Sequence, residues 1–335
     1  MTPAVLICDD SNLARKQLAR ILPQEWQASI FFAGHGADAL VTLKQQQIDW
    51  LFLDLNMPVM DGYQVLSELQ KLQLPVRVIV VSGDIQPEAF ERVMAMGAMT
   101  FLKKPVSGPE LAAFLQTALP QKPSEPRQHK IPEIVQLDSE LRDVFQEVAN
   151  VAMGQAGDLL ARLLNVFVKL PIPNVNLIEV SELTMALASV DPNSKTSAVC
   201  QGFIGSGVAG EALLILTDSS FQDIARLLKY QGELNSAVEL ELLMDVSNIL
   251  IGAVLKGIAE QVDMSFSQGH PVVLGQHAPI TELIKANAKR WRNTLTIELS
   301  YGIESFDINC DLLLLFTEDS LKTLRYKLAF LMDDV

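Results

Sequence analysis

The chain has 335 residues, of which 49% are hydrophobic, so it is long enough for about two domains with sizeable cores. Its formal net charge of -14 argues against a domain that binds nucleic acid, because the phosphate backbone repels an acidic protein. No apolar run approaches the ~20 residues of a membrane span, and the N-terminus lacks the plan of a signal peptide. We therefore expect a cytoplasmic protein without nucleic-acid binding or membrane insertion.

Neither the cysteines nor the histidines show the spacing of a metal or catalytic site. Cys8, Cys200 and Cys310 are widely separated and lie in strand-like segments, which predicts buried free thiols in a reducing compartment. The histidines are predicted to lie in unrelated loops, with no Ser/His/Asp grouping. They are His35, His129, His270 and His277.

Residues 1–119 alternate between apolar strand-like segments and amphipathic helical segments. The strand-like segments run directly into Asp9, Asp54, Ser82 and Lys104. The helices are predicted at residues 11–22, 36–46, 62–72, 87–96 and 107–119. Strand and helix repeated five times predict a doubly wound, five-stranded parallel sheet with helices on both faces.

Three carboxylates at two strand ends suggest a metal site. Asp9 and Asp10 follow the first strand, and Asp54 follows a strand that is apolar throughout and so buried on both faces. Such a hard, oxygen-rich group suits an octahedral Mg²⁺ ion, with Asp10 and Asp54 as direct ligands and Asp9 bound directly or through water. The alternative is that Asp9 and Asp10 are a solvated pair that caps the following helix.

These features together resemble the CheY-like receiver domains of two-component response regulators, which have a flavodoxin-like fold. The resemblance covers residues 1–119 and rests on the strand-end residues above, the MPVMDG loop at residues 57–62, Gly83 and Pro105. It implies that Asp54 accepts a phosphoryl group from a histidine kinase, with Mg²⁺ held by Asp10, Asp54 and the Asn56 carbonyl. It also implies phosphoryl contacts from Ser82 and Lys104, and a switch role for Phe101.

A proline-rich segment at residues 120–136 is predicted to be an extended linker. The domain beyond it, residues 137–335, contains an internal duplication. Residues 211–221 align without gaps on residues 311–321. The two halves, about 137–235 and 236–335, predict a pseudo-twofold α/β domain.

A polar stripe recurs in both halves with the same spacing. It consists of Asp143, Glu147, Asn150 and Gly154 in the first half and of Glu241, Asp245, Asn248 and Gly252 in the second. On a helix these residues share one face, opposite an apolar face. Each helix therefore presents an acid and an amide side by side, while its glycine suggests close approach by another backbone. The alternative is an ordinary solvated face on a duplicated scaffold.

The stripe resembles the signature of the CheC/CheX/FliY family of CheY-phosphate phosphatases. Residues 143–150 match it in full, and residues 241–248 match with Asp245 where the family has Glu. The resemblance implies that Asn150 and Asn248 orient water toward a receiver's phosphorus, while Glu147 and Asp245 pair with the receiver's lysine. Because an Asp side chain is shorter than that of Glu, Asp245 is less suited to span the same gap. The second site therefore has less support than the first.

The sequence therefore predicts a chemotaxis response regulator whose output domain hydrolyses the aspartyl phosphate of CheY-type receivers. One alternative is a phosphorylation-dependent adaptor that binds a receiver, a flagellar switch protein or a dimer partner without catalysis. Another is action on the chain's own Asp54, as a self-limiting timer. A homodimer is a family expectation.

Overall fold

The computed structural model describes residues 3–23, 26–118, 137–178, 195–279, 282–283, 294–303 and 306–333. The chain divides into two compact units, residues 1–147 and 148–334. The predicted linker at 120–136 lies outside the described residues, so the predicted domain limits stay predictions. Helix α6 (Leu137–Leu164) begins in the first unit, and its later part belongs to the second.

The first unit is an alternating α/β fold. Its elements before α6 are β1 (Ala4–Cys8), α1 (Asn12–Ile21), β2 (Ser29–Ala33), α2 (Gly36–Gln45), β3 (Trp50–Leu53), α3 (Gly62–Leu72), β4 (Arg77–Ser82), α4 (Pro87–Ala95), β5 (Thr100–Lys103) and α5 (Gly108–Ala118). The strands form one parallel sheet in the order β2-β1-β3-β4-β5. This confirms the predicted five-stranded, doubly wound sheet.

The central strand β3 shows why these segments are apolar throughout. Trp50 and Phe52 point into the core on one face of the sheet, while Leu51 and Leu53 point into the core on the other. All four are at most 1% exposed. Because helices cover both faces, alternation between apolar and polar residues is lost, and the run ends only where the strand reaches the sheet edge.

The second unit is built on an antiparallel sheet. After α6 follow β6 (Val168–Lys169), β7 (Asn174–Ile178), β8 (Lys195–Gly205), β9 (Val208–Thr217), α7 (Ser220–Leu227), α8 (Ser236–Gln261), β10 (Ser267–Gln268), β11 (Val272–Pro279), β12 (Thr294–Ile303), β13 (Asn309–Phe316) and α9 (Glu318–Asp333). The sheet order is β10-β8-β9-β13-β12-β6, with β11 also paired to β8 and β7 to β12.

The register between β9 and β13 is symmetric. Leu213 pairs with Leu313, Glu211 with Leu315, and Asp311 with Ile215. The duplication aligns residue 211 with 311 and residue 213 with 313. The pairing of the two strands therefore stays the same when the two halves are interchanged. A CheC-type fold for this unit stays a prediction.

Among the described helices, one, α8, is long and apolar enough to cross a membrane by length and composition alone. Most of its apolar stretch is buried inside the protein, which is also the pattern of a core helix. The predicted free cysteines are confirmed, since Cys8, Cys200 and Cys310 are all buried and unpaired with one another.

Candidate functional site

The carboxyl ends of β1, β3, β4 and β5 bring the predicted strand-end residues to one edge of the parallel sheet. The Nζ atom of Lys104 lies 2.7 Å from Asp9 Oδ2 and 3.2 Å from Asp54 Oδ2. Lys104 is only 3% exposed and Asp54 only 1%, whereas the neighbouring Lys103 points to solvent. Strand alternation thus selects Lys104 as the lysine of the site.

The loop after β3 fixes the carboxylate of Asp54. Its Oδ1 accepts a hydrogen bond from the Leu55 N–H at 2.7 Å, and the Gly62 N–H donates to the Leu55 carbonyl at 3.0 Å. A Cβ atom at Gly62 would lie 2.3 Å from the Asp54 carbonyl oxygen, so only glycine fits there. Asp61 then starts α3 with a capping box made with Gln64.

Three carboxylates at this edge fit a divalent cation. Oxygen atoms of Asp9, Asp10 and Asp54 lie within 4.8 Å of one another. Burial, together with the charges of Asp54 and Asp9, raises the pKa of Asp10 to about 7. Crowded, partly desolvated carboxylates of this kind suit a hard ion such as Mg²⁺. The buried side-chain Nδ2 of Asn56 has no hydrogen-bond partner in the described part of the chain.

Two other predicted residues lie on β4 and β5. Ser82 is completely buried, and its hydroxyl accepts a hydrogen bond from the Asp84 N–H at 3.2 Å. Phe101 is half-buried and meets the ring of Phe90 edge-on, with ring centroids 6.2 Å apart. Their roles in phosphoryl contact and switching stay predictions.

The start of α6, which belongs to the same compact unit, contacts this edge through three side chains. Asp143 accepts hydrogen bonds from the N–H groups of Asn12, at 3.2 Å, and Leu13, at 2.7 Å. Gln146 Nε2 donates to Asp10 Oδ2 at 3.3 Å. Glu147 Oε1 lies 3.2 Å from Lys104 Nζ.

Lys104 is therefore shared by three buried carboxylates. Burial raises the pKa of Glu147 and of Asp54, and Lys104 offsets this only in part. Burial alone would lower the pKa of Lys104, but Asp54, Asp9 and Glu147 raise it well above its ordinary value. The lysine therefore stays charged, whereas burial disfavours the ionised forms of Asp54 and Glu147.

Comparison with known proteins agrees with this geometry. Residues 5–116 match the response regulator receiver domain family. The first unit therefore contains a response regulator receiver domain.

Relatives share this receiver domain. The chemotaxis protein CheY of Halobacterium salinarum is 28% identical over 119 residues, which is 36% of this chain and 98% of that protein. A protein-glutamate methylesterase/protein-glutamine glutaminase of Paramagnetospirillum magneticum is 35% identical over 115 residues, 32% of this chain and 29% of that protein. The chain spans only 28 to 30% of the length of the methylesterases that it matches.

Two further matches come from Vibrio cholerae. An uncharacterized response regulatory protein is 28% identical over 212 residues, 57% of this chain and 80% of that protein. A solved structure of the chemotaxis protein CheY4 is 26% identical and covers 36% of this chain and 100% of that chain, with a TM-score of 0.33.

The two predicted polar stripes differ in exposure. On α6, Glu147 and Asn150 are buried, and the buried Oδ1 of Asn150 has no hydrogen-bond partner among the described residues. Asn150 follows Glu147 by three residues on the same helical face. On α8, Asp245 and Asn248 are exposed, as is Glu241. We find no hydrogen bond or ion pair for these three within the described ranges.

Sequence reasoning missed some contacts of the site. Asp143 was a stripe residue, but its bonds to the start of α1 depend on tertiary placement. Gln146 lies beside the stripe and carried no signal, because a single glutamine next to a glutamate has no diagnostic spacing.

The prediction that His277 lies in a loop was wrong. It lies in β11, where its Nδ1 is 2.8 Å from Asp218 Oδ2 and its Nε2 is 3.2 Å from Glu239 Oε2. The Ser197 hydroxyl donates to Asp218 Oδ1 at 3.1 Å and not to the imidazole ring. The group is therefore not arranged to activate a serine nucleophile.

Proposed function

We propose that this protein is a response regulator whose Asp54 accepts a phosphoryl group from a histidine kinase, and whose helix α6 promotes its hydrolysis. The observation that carries the proposal is the ion pair between Glu147 and Lys104 inside the receiver pocket. It is supported by the match of residues 143–150 to the CheC/CheX/FliY signature.

In the first reaction the phosphorus–nitrogen bond of the kinase phosphohistidine breaks and a bond from phosphorus to Asp54 forms. Lys104 and the Ser82 hydroxyl bind the phosphoryl oxygens, where negative charge must be stabilised. Asp9, Asp10, Asp54 and the Asn56 carbonyl would hold Mg²⁺, which supplies further neutralisation of that charge when bound.

In the second reaction the oxygen of a water molecule bonds to phosphorus while the bond to Asp54 breaks, which releases phosphate and the free carboxylate. Glu147 holds Lys104 in place beside the leaving group. The match to the phosphatase signature assigns the orientation of this water to Asn150, whose Oδ1 can accept a water hydrogen. The effect is one of positioning, without a covalent intermediate on α6.

The test measures phosphate release from the full-length chain after phosphorylation with acetyl phosphate and removal of the donor. We expect Glu147→Gln and Asn150→Ala to slow release by roughly 10- to 100-fold, as loss of a positioned group does. The matched control is Arg142→Ala, which removes an exposed polar side chain from the same helix. The rate of the natural chain should not depend on protein concentration.

An unchanged rate in Asn150→Ala would contradict the proposal and favour the alternative of a non-catalytic adaptor. In that case the contact between Glu147 and Lys104 would serve only to hold α6 on the receiver domain. Loss of phosphorylation in Asp54→Asn is the control that the phosphoryl group is on the expected carboxylate.

A further inference from the structure

We infer that Gln146, a residue outside the predicted polar stripe, positions the metal ligand Asp10 and so couples Mg²⁺ binding in the receiver domain to the docking of α6. The side-chain Nε2 of Gln146 donates to Asp10 Oδ2 at 3.3 Å. The inference rests on the part of the proposed function that assigns Mg²⁺ to this pocket. It does not depend on the hydrolysis step.

The three carboxylates of the pocket differ in what holds them. Asp9 and Asp54 each accept a hydrogen bond from a nearby backbone N–H, and each contacts the ammonium group of Lys104. Within the described ranges the side chain of Asp10 has neither of these partners, and its hydrogen-bond donor is Gln146. The receiver domain therefore supplies the partners of two of its acids, while α6 supplies the partner of the third.

A neutral amide suits this position. An ionised carboxylate has about four lone-pair positions on its two oxygens, so Asp10 can accept a hydrogen bond from Gln146 and also bind a metal. A lysine or arginine at position 146 would hold Asp10 as well, but its positive charge would repel a nearby divalent cation. The amide orients the carboxylate without this repulsion. Partners that orient a metal ligand in this way typically change metal affinity by about 10- to 100-fold.

A second contact holds α6 against the same part of the receiver domain. Asp143, one helical turn before Gln146, accepts hydrogen bonds from the N–H groups of Asn12 and Leu13, which follow Asp10 closely in the chain. Docking of α6 therefore brings Gln146 to Asp10. If this docking strengthens Mg²⁺ binding, bound Mg²⁺ must strengthen the docking of α6 by the same factor, because coupling between two binding equilibria is reciprocal.

The first measurement is a calorimetric titration of the unphosphorylated, full-length chain with Mg²⁺ alone. Gln146→Met keeps the length of the side chain but removes the N–H donor, and it should weaken Mg²⁺ binding by about 10-fold. The matched control is Arg142→Ala, which removes an exposed side chain one helical turn earlier on α6. This control should leave the dissociation constant unchanged.

Hydrogen exchange separates the positioning role from a general loosening of α6. In the natural chain Mg²⁺ should slow exchange of the Asn12 and Leu13 amides, because bound metal strengthens the docking of α6. Gln146→Met should remove most of this effect of Mg²⁺. Glu147→Gln weakens another contact of α6 but keeps Gln146, so Mg²⁺ should still slow exchange in that variant. A purely structural role of Gln146 would lower protection equally with and without Mg²⁺.

Two outcomes overturn the inference. One is an unchanged dissociation constant for Mg²⁺ in Gln146→Met. The other is faster exchange of the Asn12 and Leu13 amides when Mg²⁺ is added, which would show that the metal and Gln146 compete for Asp10.

These measurements use unphosphorylated protein, so their failure is distinguishable from failure of the proposed function. Asn150-dependent phosphate release without any effect of Gln146→Met on Mg²⁺ binding would overturn this inference alone. Coupling of Mg²⁺ to α6 through Gln146, without Asn150-dependent release, would overturn the proposed hydrolysis alone.

Discussion

Both carboxylate oxygens of Glu147 lie close to the ammonium nitrogen of Lys104, at 3.2 and 3.4 Å. The same nitrogen contacts Asp9 and Asp54, so one cation balances three buried acids. The proposed phosphoryl group on Asp54 would bring more negative charge and three strong acceptor oxygens to this position. This phosphoryl group would share Lys104 with Glu147. The strength of the ion pair between Glu147 of α6 and Lys104 would therefore depend on whether Asp54 is phosphorylated.

The first prediction concerns this shared cation. Lys104→Met should lower the free energy of unfolding of the first unit by about 3–5 kcal/mol, because it leaves buried carboxylates without their counter-charge. The matched control is Lys103→Met, one residue away and exposed, which should change stability by less than about 0.5 kcal/mol. Urea denaturation of the two variants measures the difference, and equal effects would contradict the shared-cation arrangement.

The second prediction concerns the hold of α6 on α1. The first three amides of α1 are all satisfied by side chains: Asn12 and Leu13 by Asp143, and Ala14 by the hydroxyl of Ser11. Asp143→Ala should expose two of them and cost roughly 0.3–2 kcal/mol of stability, as loss of an acid at a helix N-terminus does.

Hydrogen exchange measures this directly. The amides of Asn12 and Leu13 should exchange faster in Asp143→Ala, whereas the amide of Ala14 should change least. Asp143→Asn is the control, since it keeps one acceptor oxygen and should retain part of the protection. Unchanged exchange at all three amides would show that Asp143 does not bind α1 in solution.

The third prediction concerns metal binding. Since burial and neighbouring carboxylates raise the pKa of Asp10, its ionised form is disfavoured, and Asp10→Asn should raise the melting temperature without metal. Mg²⁺ should stabilise the natural chain, by about 2.7 kcal/mol at 100 times its dissociation constant, and should stabilise Asp10→Asn far less. Thermal unfolding with and without Mg²⁺ tests both statements. An equal response to Mg²⁺ in the two proteins would remove Asp10 from the ligand set.

The sequence predicted the parallel sheet well because each of its strands is a local apolar run, and the residue that ends the run is the one at the sheet edge. Asp54 could be placed in this way from its position alone, whereas the choice of Lys104 over Lys103 came from the resemblance to receiver domains. The bonds of Asp143 to α1 could not, because no local pattern encodes which helix start it meets.

His277 shows a different reason for failure. The pairing of β11 with β8 shifts register between Val273 and Gly275 and again between Gly275 and Ala278. His277 also has a positive φ of 55°. These irregularities break the alternation that identifies a strand in sequence, so the segment resembled a loop.

The last prediction concerns the symmetric centre of the second unit. Leu213 and Leu313 are directly paired and almost completely buried in one apolar cluster. Leucine-to-alanine substitution at either position should cost about 2–5 kcal/mol, by lost burial and a cavity. Because the two side chains contact one another, the double variant should depart from the sum of the single ones by at least about 0.5 kcal/mol.

The control pair is Leu214 with Leu313. Leu214 is also fully buried, but adjacent strand residues point to opposite faces, so its side chain lies away from Leu313. In the double variant Leu214→Ala plus Leu313→Ala, the two changes in the free energy of unfolding should add to within about 0.5 kcal/mol. Chemical denaturation of all five variants measures these effects. Additivity for both pairs would mean that the pairing of β9 with β13 does not place Leu213 against Leu313. Non-additivity for Leu213 with Leu313 alone would show that these two residues lie against one another in solution, at the symmetric centre of the sheet.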